Sequence, residues 1–323
     1  MLKYLRLLLL PFNVIYALVV YVRNQFYNWG IFKSTSFDLP VICIGNLAVG
    51  GSGKTPTTEY LVGLLSEYKI AILSRGYGRK TKGFVLADDT ATAETIGDEP
   101  LQYYRKFENV TVAVCEDRVT GIEKLQNEHE VILLDDAYQH RKVKAGFNIL
   151  LFEFSKIRRY QMLMPAGNLR EPFSGIKRAQ AVLITKSPLE IKDGIKTEIS
   201  SKLSLNAQQD LAYAHIAYQN LKHLYIDEEM ELVPNQEVFL LTGIANPEPL
   251  KQYLTSKDVN VNSFEYSDHH RFTEKEIEAL VQSFQNHPGK EKIIVTTEKD
   301  GQRLLDDKLR DLLLNLPVYY LPI

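Results

Sequence analysis

The residues best suited to chemistry in this sequence are Gly50-Gly51-Ser52-Gly53-Lys54-Thr55. Glycines in such a run let backbone N–H groups turn inward on phosphate oxygens. A lysine placed like Lys54 reaches the β and γ phosphates, and a hydroxyl placed like Thr55 can hold Mg²⁺. The strict pattern GxxxxGK[ST] wants a glycine where the chain has Ala48; its glycines fall at 45, 50, 51 and 53 instead. The expected ligand is a nucleoside triphosphate. Its Mg²⁺ calls for a carboxylate at the end of a neighbouring strand, and the run VILLDD supplies Asp135 and Asp136. An apolar run ending in Asp-Asp is by itself also an ordinary turn; beside the phosphate loop it becomes a candidate metal site. Guanine-specific loops of this kind carry [NT]KxD after a later strand, and ITKSP has Pro188 where that aspartate would stand. ATP is therefore expected rather than GTP.

Elements must hold these residues in place. Short apolar runs at Val41 to Ile44, Ile70 to Leu73, Val131 to Leu134, Ile149 to Phe152 and Ala181 to Ile184 alternate with helix-period stretches. Continuous apolar runs suit strands buried on both faces, so the class is α/β with a P-loop NTPase-type parallel sheet flanked by helices. The strand VICI precedes the phosphate loop and the helical TPTTEYLVGLL follows it. Pro56 fits, since proline is tolerated in a first helical turn. From 212 to 237 the pattern loosens around Asp227-Glu228-Glu229, reading as a connector with a two-stranded ribbon. Beyond it come strands at Val238 to Leu241 and Lys292 to Thr296, and a helix from Thr273 to Phe284 that opens on a Thr273/Glu276 capping box. The expected organisation is an N-terminal helix over 1–30, a core domain over 31–211, the connector over 212–237 and a smaller α/β domain over 238–323.

Composition narrows the setting. With 323 residues, 45% hydrophobic and 24% charged, the chain is an ordinary folded protein able to bury two cores. A net charge of -2 exerts no overall pull toward nucleic acid, and no extended basic surface with interleaved aromatics is present, so nucleic acid is not an expected partner. Cys43 and Cys115 form no CxxC pair, which excludes a disulfide scaffold and fits a reducing compartment. The run LLLLPFNVIYALVVYV from Leu7 to Val22, flanked by Lys3, Arg6 and Arg23, is short for a hydrocarbon core of ~30 Å. It reads as a helix packed on the protein's own body or as a membrane-seated one, spanning or interfacial, with Tyr16, Tyr21, Tyr27 and Trp29 as anchors.

In order along the chain, GNLAVGGSGKTP, LSRGYGRK, GDEP, DDAYQHR, MPAGNLREP, TGIANP, SDHHRFT and TTEKD resemble the tetraacyldisaccharide 4'-kinases, the lipid A 4'-kinases of Gram-negative bacteria. The resemblance spans most of the chain. It implies an enzyme on the cytoplasmic face of the bacterial inner membrane that moves the γ-phosphoryl group of ATP, with Mg²⁺, to the 4'-hydroxyl of a tetraacyldisaccharide 1-phosphate, a glycolipid. It also implies a P-loop core, a smaller C-terminal domain joined by a ribbon, and a hydrophobic N-terminal helix near the acyl chains. The catalytic aspartate falls on Asp98 of GDEP; without the resemblance, Asp98 reads as a turn residue satisfying its own backbone. His269, next to Asp268 in SDHH, would pair with Asp98 across the two domains and help it accept the hydroxyl proton. Asp-His-His also occurs in metal clusters, but the further acidic motifs that would complete one are not found.

Glu171 in LREP is a third Mg²⁺ carboxylate, a partner that orients the metal's ligands from behind, or the partner of Arg170 in a surface ion pair. Ser74, Arg75 and Tyr77, with the cations that follow them through Lys82, could grip the substrate's 1-phosphate or anionic headgroups, as could Arg118, His140 and Arg141; solvated charge is the alternative for Arg79, Lys80 and Lys82. Two rival functions remain: a P-loop kinase of another small-molecule acceptor, and a nucleotide-dependent membrane switch.

Overall fold

The computed structural model describes residues 9–244, 246–268 and 270–323. The chain forms two compact units, one running to Ile216 and the other from Ala217 to Ile323.

The first unit is built on eight strands: β1 (Val41–Asn46), β2 (Ile70–Ser74), β3 (Val85–Leu86), β4 (Thr111–Val114), β5 (Val131–Asp135), β6 (Phe147–Glu153), β7 (Ala181–Thr185) and β8 (Asp210–Tyr213). Their order across the sheet is β3-β4-β2-β5-β1-β6-β7-β8. Every neighbouring pair is parallel except β3 with β4. Parallel strands need crossovers that cover both faces, which explains the unbroken apolar runs. Ala71, Leu73, Ile132 and Leu134 point into one core, and Ile70, Ile72, Val131 and Leu133 into the other. β1 lies at the centre, so its carboxyl end opens between β5 and β6, where ligands of open α/β sheets bind.

The second unit repeats the principle on a smaller scale. Its strands are β9 (Leu221–His223), β10 (Glu229–Met230), β11 (Glu237–Thr242), β12 (Asn260–Glu265), β13 (Lys292–Thr297) and β14 (Val318–Leu321), in the order β10-β9-β14-β13-β11-β12. The last four are mutually parallel where they pair, and two cores cover the sheet's faces. Within the stretch 212–237 the chain first completes β8 and then makes the antiparallel pair β9–β10. β9 is bonded to β14, so the ribbon forms one edge of the second sheet. The helix Glu274–Asn286 begins with the Thr273/Glu276 capping box.

The N-terminal helix runs from Leu10 to Asn28. Asn24 donates to Glu171 (2.7 Å), Tyr16 donates to the Arg170 carbonyl (2.8 Å), Val20 is buried, and Arg23 donates to the Gln139 carbonyl. Positions 16, 20, 23, 24 and 27 share one helical face. The opposite face shows Phe12, Val14, Ile15, Leu18 and Val19 to solvent, each about 60 to 70% exposed. The helix is thus polar toward the protein and apolar away from it. Among the described residues, no helix is long and apolar enough to cross a membrane.

Candidate active site

The phosphate loop follows β1 directly. Its left-handed positions are Gly50 (φ 111°) and Gly53 (φ 81°), both glycines, and Gly53 caps the helix Lys54–Leu64. This explains why alanine is tolerated at 48: Ala48 sits in an extended bridge with Leu169, before the loop turns. Asn46, buried at the end of β1, donates to the Ser52 hydroxyl (2.7 Å) and braces the loop from below. On the other flank the Thr185 hydroxyl donates to the Ser52 carbonyl (2.8 Å) and Lys186 to the Gly51 carbonyl (2.7 Å). Sequence patterning had no signal for these braces, because they join residues more than 130 positions apart.

The two aspartates at the end of β5 differ sharply. Asp136, at φ 49°, is gripped by Arg170 (2.7 and 3.1 Å) and lies 3.7 Å from the Lys54 ammonium. Burial opposes its charge, yet the Arg170 hydrogen bonds with Lys54 and Arg118 hold its carboxyl below the usual range. Asp135 is buried and its Oδ1 has no hydrogen-bond partner. Burial, reinforced by Asp136, pushes its carboxyl up to about 7 against the pull of Lys54. A buried carboxylate with one oxygen left without a hydrogen-bond partner is what a divalent cation would satisfy. The open oxygen of Asp135 therefore fits a divalent cation, whereas Asp136 is bonded to Arg170 and lies close to Lys54. Among the described residues no group of three or more His, Cys, Asp or Glu could hold a metal. A cation here would take its other ligands from phosphate and water, the habit of Mg²⁺.

Two expectations for LREP are corrected. Glu171 pairs with Arg178 (2.6 and 2.8 Å), not Arg170, and its Oε1 also accepts from Asn24. It is 2% exposed. Burial demands a full set of partners for its charge, and Arg178 and Asn24 supply them, which makes Glu171 an anchor of the N-terminal helix and not a metal carboxylate.

Asp98 opens the helix Asp98–Lys106, one residue after Gly97 at φ 96°. It is a first-turn helical residue rather than a turn residue. The LSRGYGRK loop lies directly against it: a Cβ on Gly76 would come within 2.7 Å of the Ile96 carbonyl, and one on Gly97 within 3.0 Å of the Tyr77 carbonyl. The glycines on both sides allow this backbone contact, which puts Arg75 and Tyr77 beside the Asp98 turn. Arg75 is exposed and Tyr77 is 80% exposed. Ser74 is buried at the end of β2. Arg79 and Lys80 pair with Glu116 and Glu94, each at 2.7 Å, so they shape the loop. Beneath the site, Glu59 on the phosphate-loop helix accepts from Gln102 (2.8 Å) and Lys106 (2.7 Å), which bolts the Asp98 helix to it.

The remaining cations divide. Arg118 is buried, donates to the Glu116 carbonyl (3.1 Å) and feels the charges of Asp135 and Asp136. Burial and the Arg118 charge push His140 down to about 4, so it is a neutral acceptor for the Arg118 N–H and not a cation for phosphate. Arg141 donates to the Asn24 carbonyl and Asn28 and lies 5.0 Å over the Tyr27 ring. It holds the N-terminal helix.

In the second unit, Asp268 lies in the loop after β12. His269 lies outside the described residues. His270 is held by Glu276 (3.0 Å) and stacks on Tyr266 with ring centroids 4.6 Å apart.

A glycine loop between a central parallel strand and a helix, faced by a buried carboxylate at the end of the next strand, defines a P-loop nucleotide-binding protein. Over residues 5–323 the chain matches the family model described as LpxK, Tetraacyldisaccharide-1-P 4'-kinase. It is 46% identical over 325 residues to a Tetraacyldisaccharide 4'-kinase of Flavobacterium johnsoniae, covering 99% of this chain and 92% of the relative. A protein of the same name from Phocaeicola vulgatus is 43% identical, with 98% and 89% covered. A crystal structure of LpxK from Aquifex aeolicus in complex with ATP is similar at a TM-score of 0.75 and 30% identity, covering 98% of this chain and 93% of that one. The chain belongs to the tetraacyldisaccharide 4'-kinase family.

Proposed function

We propose that this protein transfers the γ-phosphoryl group of ATP to the 4'-hydroxyl of a tetraacyldisaccharide 1-phosphate, a step of lipid A biosynthesis. The observation that carries the site's part in this is the buried Asp135 carboxylate at the end of β5, whose Oδ1 has no hydrogen-bond partner and which feels the Lys54 charge. Loop amides and Lys54 hold the triphosphate, and Arg170 keeps Asp136 and Lys54 in register. Thr55 and Asp135 would hold Mg²⁺, which would neutralise phosphate charge. Asp98 accepts the proton of the acceptor hydroxyl as its oxygen bonds to the γ phosphorus and the bond to the β-phosphate oxygen breaks. Arg75 and Tyr77, beside Asp98, contact the acceptor's anionic headgroup.

The acceptor is a lipid, and the N-terminal helix suits it. Its outward apolar face and inward polar face match a helix lying in a membrane interface, in keeping with the cytoplasmic face of a bacterial inner membrane. Incubating the protein with labelled ATP, Mg²⁺ and tetraacyldisaccharide 1-phosphate should yield a labelled bisphosphorylated glycolipid on chromatography. Phosphate release without labelled lipid would point to the switch instead. Replacing Ile15, Leu18 and Val19 by Asp should abolish sedimentation with anionic vesicles; undiminished sedimentation would remove the helix from the membrane reading.

A further inference from the structure

The helices Lys54–Leu64 and Asp98–Lys106 meet along a polar seam. Thr55, Thr58 and Glu59 share one face of the first helix, at spacings of three and four residues. Glu59 joins it to the second helix by accepting from Gln102 and Lys106, so the two are already fastened together. Beside Gln102 stands Tyr103, fully buried in the apolar cluster of Ile44, Val62, Ile70, Ile72 and Leu133. A phenyl ring would fill that core as well as a phenol. The hydroxyl is a liability there: among the described residues it has no hydrogen-bond partner, and a buried unpaired hydroxyl destabilises the fold that holds it. Thr58 repeats the case, its hydroxyl also fully buried and unpartnered. The Tyr103 hydroxyl faces those of Thr58 and Thr55 without closing a bond to either, and it feels the charge of Asp135. Tyr103 Oη, Thr58 Oγ1 and Asp135 Oδ1 are thus three buried polar atoms left open on the elements that carry the site.

We infer that Tyr103 is a positioning residue for the cation site: its phenol oxygen accepts the hydrogen of the Thr55 hydroxyl, its own hydrogen goes to Thr58, and the Thr55 lone pair is thereby turned outward. The inference rests on the reading in which Thr55 helps to hold Mg²⁺. A hydroxyl that lends its oxygen to a cation must donate its hydrogen elsewhere, and the acceptor fixes its rotation. Tyr103 accepts without bringing a charge. Both bonds form as Thr55 is engaged, so they belong to binding and not to folding. Because Tyr103 lies on the helix that Asp98 opens, the group that orients Thr55 and the proton acceptor share one rigid element.

The test is calorimetric titration with ATP, once in Mg²⁺ and once in EDTA, beside thermal melting of the protein alone. Tyr103→Phe keeps the ring and should weaken ATP binding in Mg²⁺ about five- to tenfold, the effect of losing a hydrogen bond. Binding in EDTA should not change, and the protein should melt at or above the wild-type temperature, since an unpaired buried hydroxyl has been removed. Thr58→Val should weaken binding in Mg²⁺ in the same direction. The double variant should lose no more than Tyr103→Phe alone, because the two hydroxyls act as one chain. A Tyr103→Phe protein that melts several degrees lower would make the hydroxyl a structural group and overturn the proposal. Equal losses in Mg²⁺ and EDTA, or no loss in either, would overturn it too, as would a double variant whose loss is the sum of the single ones. Wild-type affinity for ATP that is indifferent to Mg²⁺ would bring down the cation reading itself. Wild-type affinity that depends on Mg²⁺, with Tyr103→Phe unchanged, would bring down only the role of Tyr103.

Discussion

Each of the two parallel sheets carries a buried carboxylate at its carboxyl edge, and the two are treated in opposite ways. Asp300, just beyond β13, is fully buried and accepts from the Gly243 N–H (2.9 Å), the Thr297 hydroxyl (2.7 Å) and Arg303 (2.7 Å). It ties the loop after β11 to the helix Glu298–Leu304. Asp135, the last residue of β5 in the larger sheet, keeps one oxygen unpartnered and a raised carboxyl. One carboxylate is spent on architecture and the other is held in reserve for a ligand. Burial does not separate them; satisfaction does.

Breaking that contrast from the structural side should cost most. Asp300→Ala removes the fully buried carboxylate shared by the Gly243 N–H, the Thr297 hydroxyl and Arg303, so it should lose about 3 to 5 kcal/mol of stability, read by denaturant unfolding. A loss under about 1 kcal/mol would deny Asp300 its architectural role. Lys54→Ala should lower kcat by about 10² to 10³ while the protein melts normally, as expected when one preorganised cation is removed from a developing charge. Asp98→Ala should lower kcat by about 10² or more with ATP binding retained, and unchanged turnover would remove Asp98 from the mechanism.

The smallest effect is a pH dependence. His140 is driven down to about 4 from 6.5, first by burial and then by Arg118. The unfolded chain therefore binds a proton that the folded one refuses between those values, so the His140 contribution is present above pH 6.5 and is lost as pH falls toward 4. His140→Asn should flatten the fall in melting temperature across that window. An identical fall in both proteins would show that other groups govern it.

Much of this was legible in the chain. Apolar runs located β1, β2, β5, β6, β7, β11 and β13, because strands buried on both faces need no alternation to be seen. β3, β4, β8, β12 and β14 were missed: the first three and VYYL have four residues or fewer, and NVNSFE carries polar residues in a half-buried strand. The phosphate loop was legible because its function depends on contiguous backbone, so glycine, lysine and threonine had to be neighbours in sequence. The partners of Glu171 and Arg170 were not. Adjacent in the chain, the two face different ways, and Arg178, Asn24 and Asp136 reach them only through the fold.

By itself, then, the sequence determined the α/β class, the phosphate loop and the pair of candidate metal carboxylates. Only the tertiary structure decided that Asp135 rather than Asp136 is open to a cation, that Arg141 and Glu171 hold a helix, and that Lys186 flanks the loop. The physical reason is the range of the interactions. Backbone geometry and hydrophobic periodicity are local and written in consecutive residues, whereas the state of a buried charge is set by whichever groups long-range packing brings within a few ångströms.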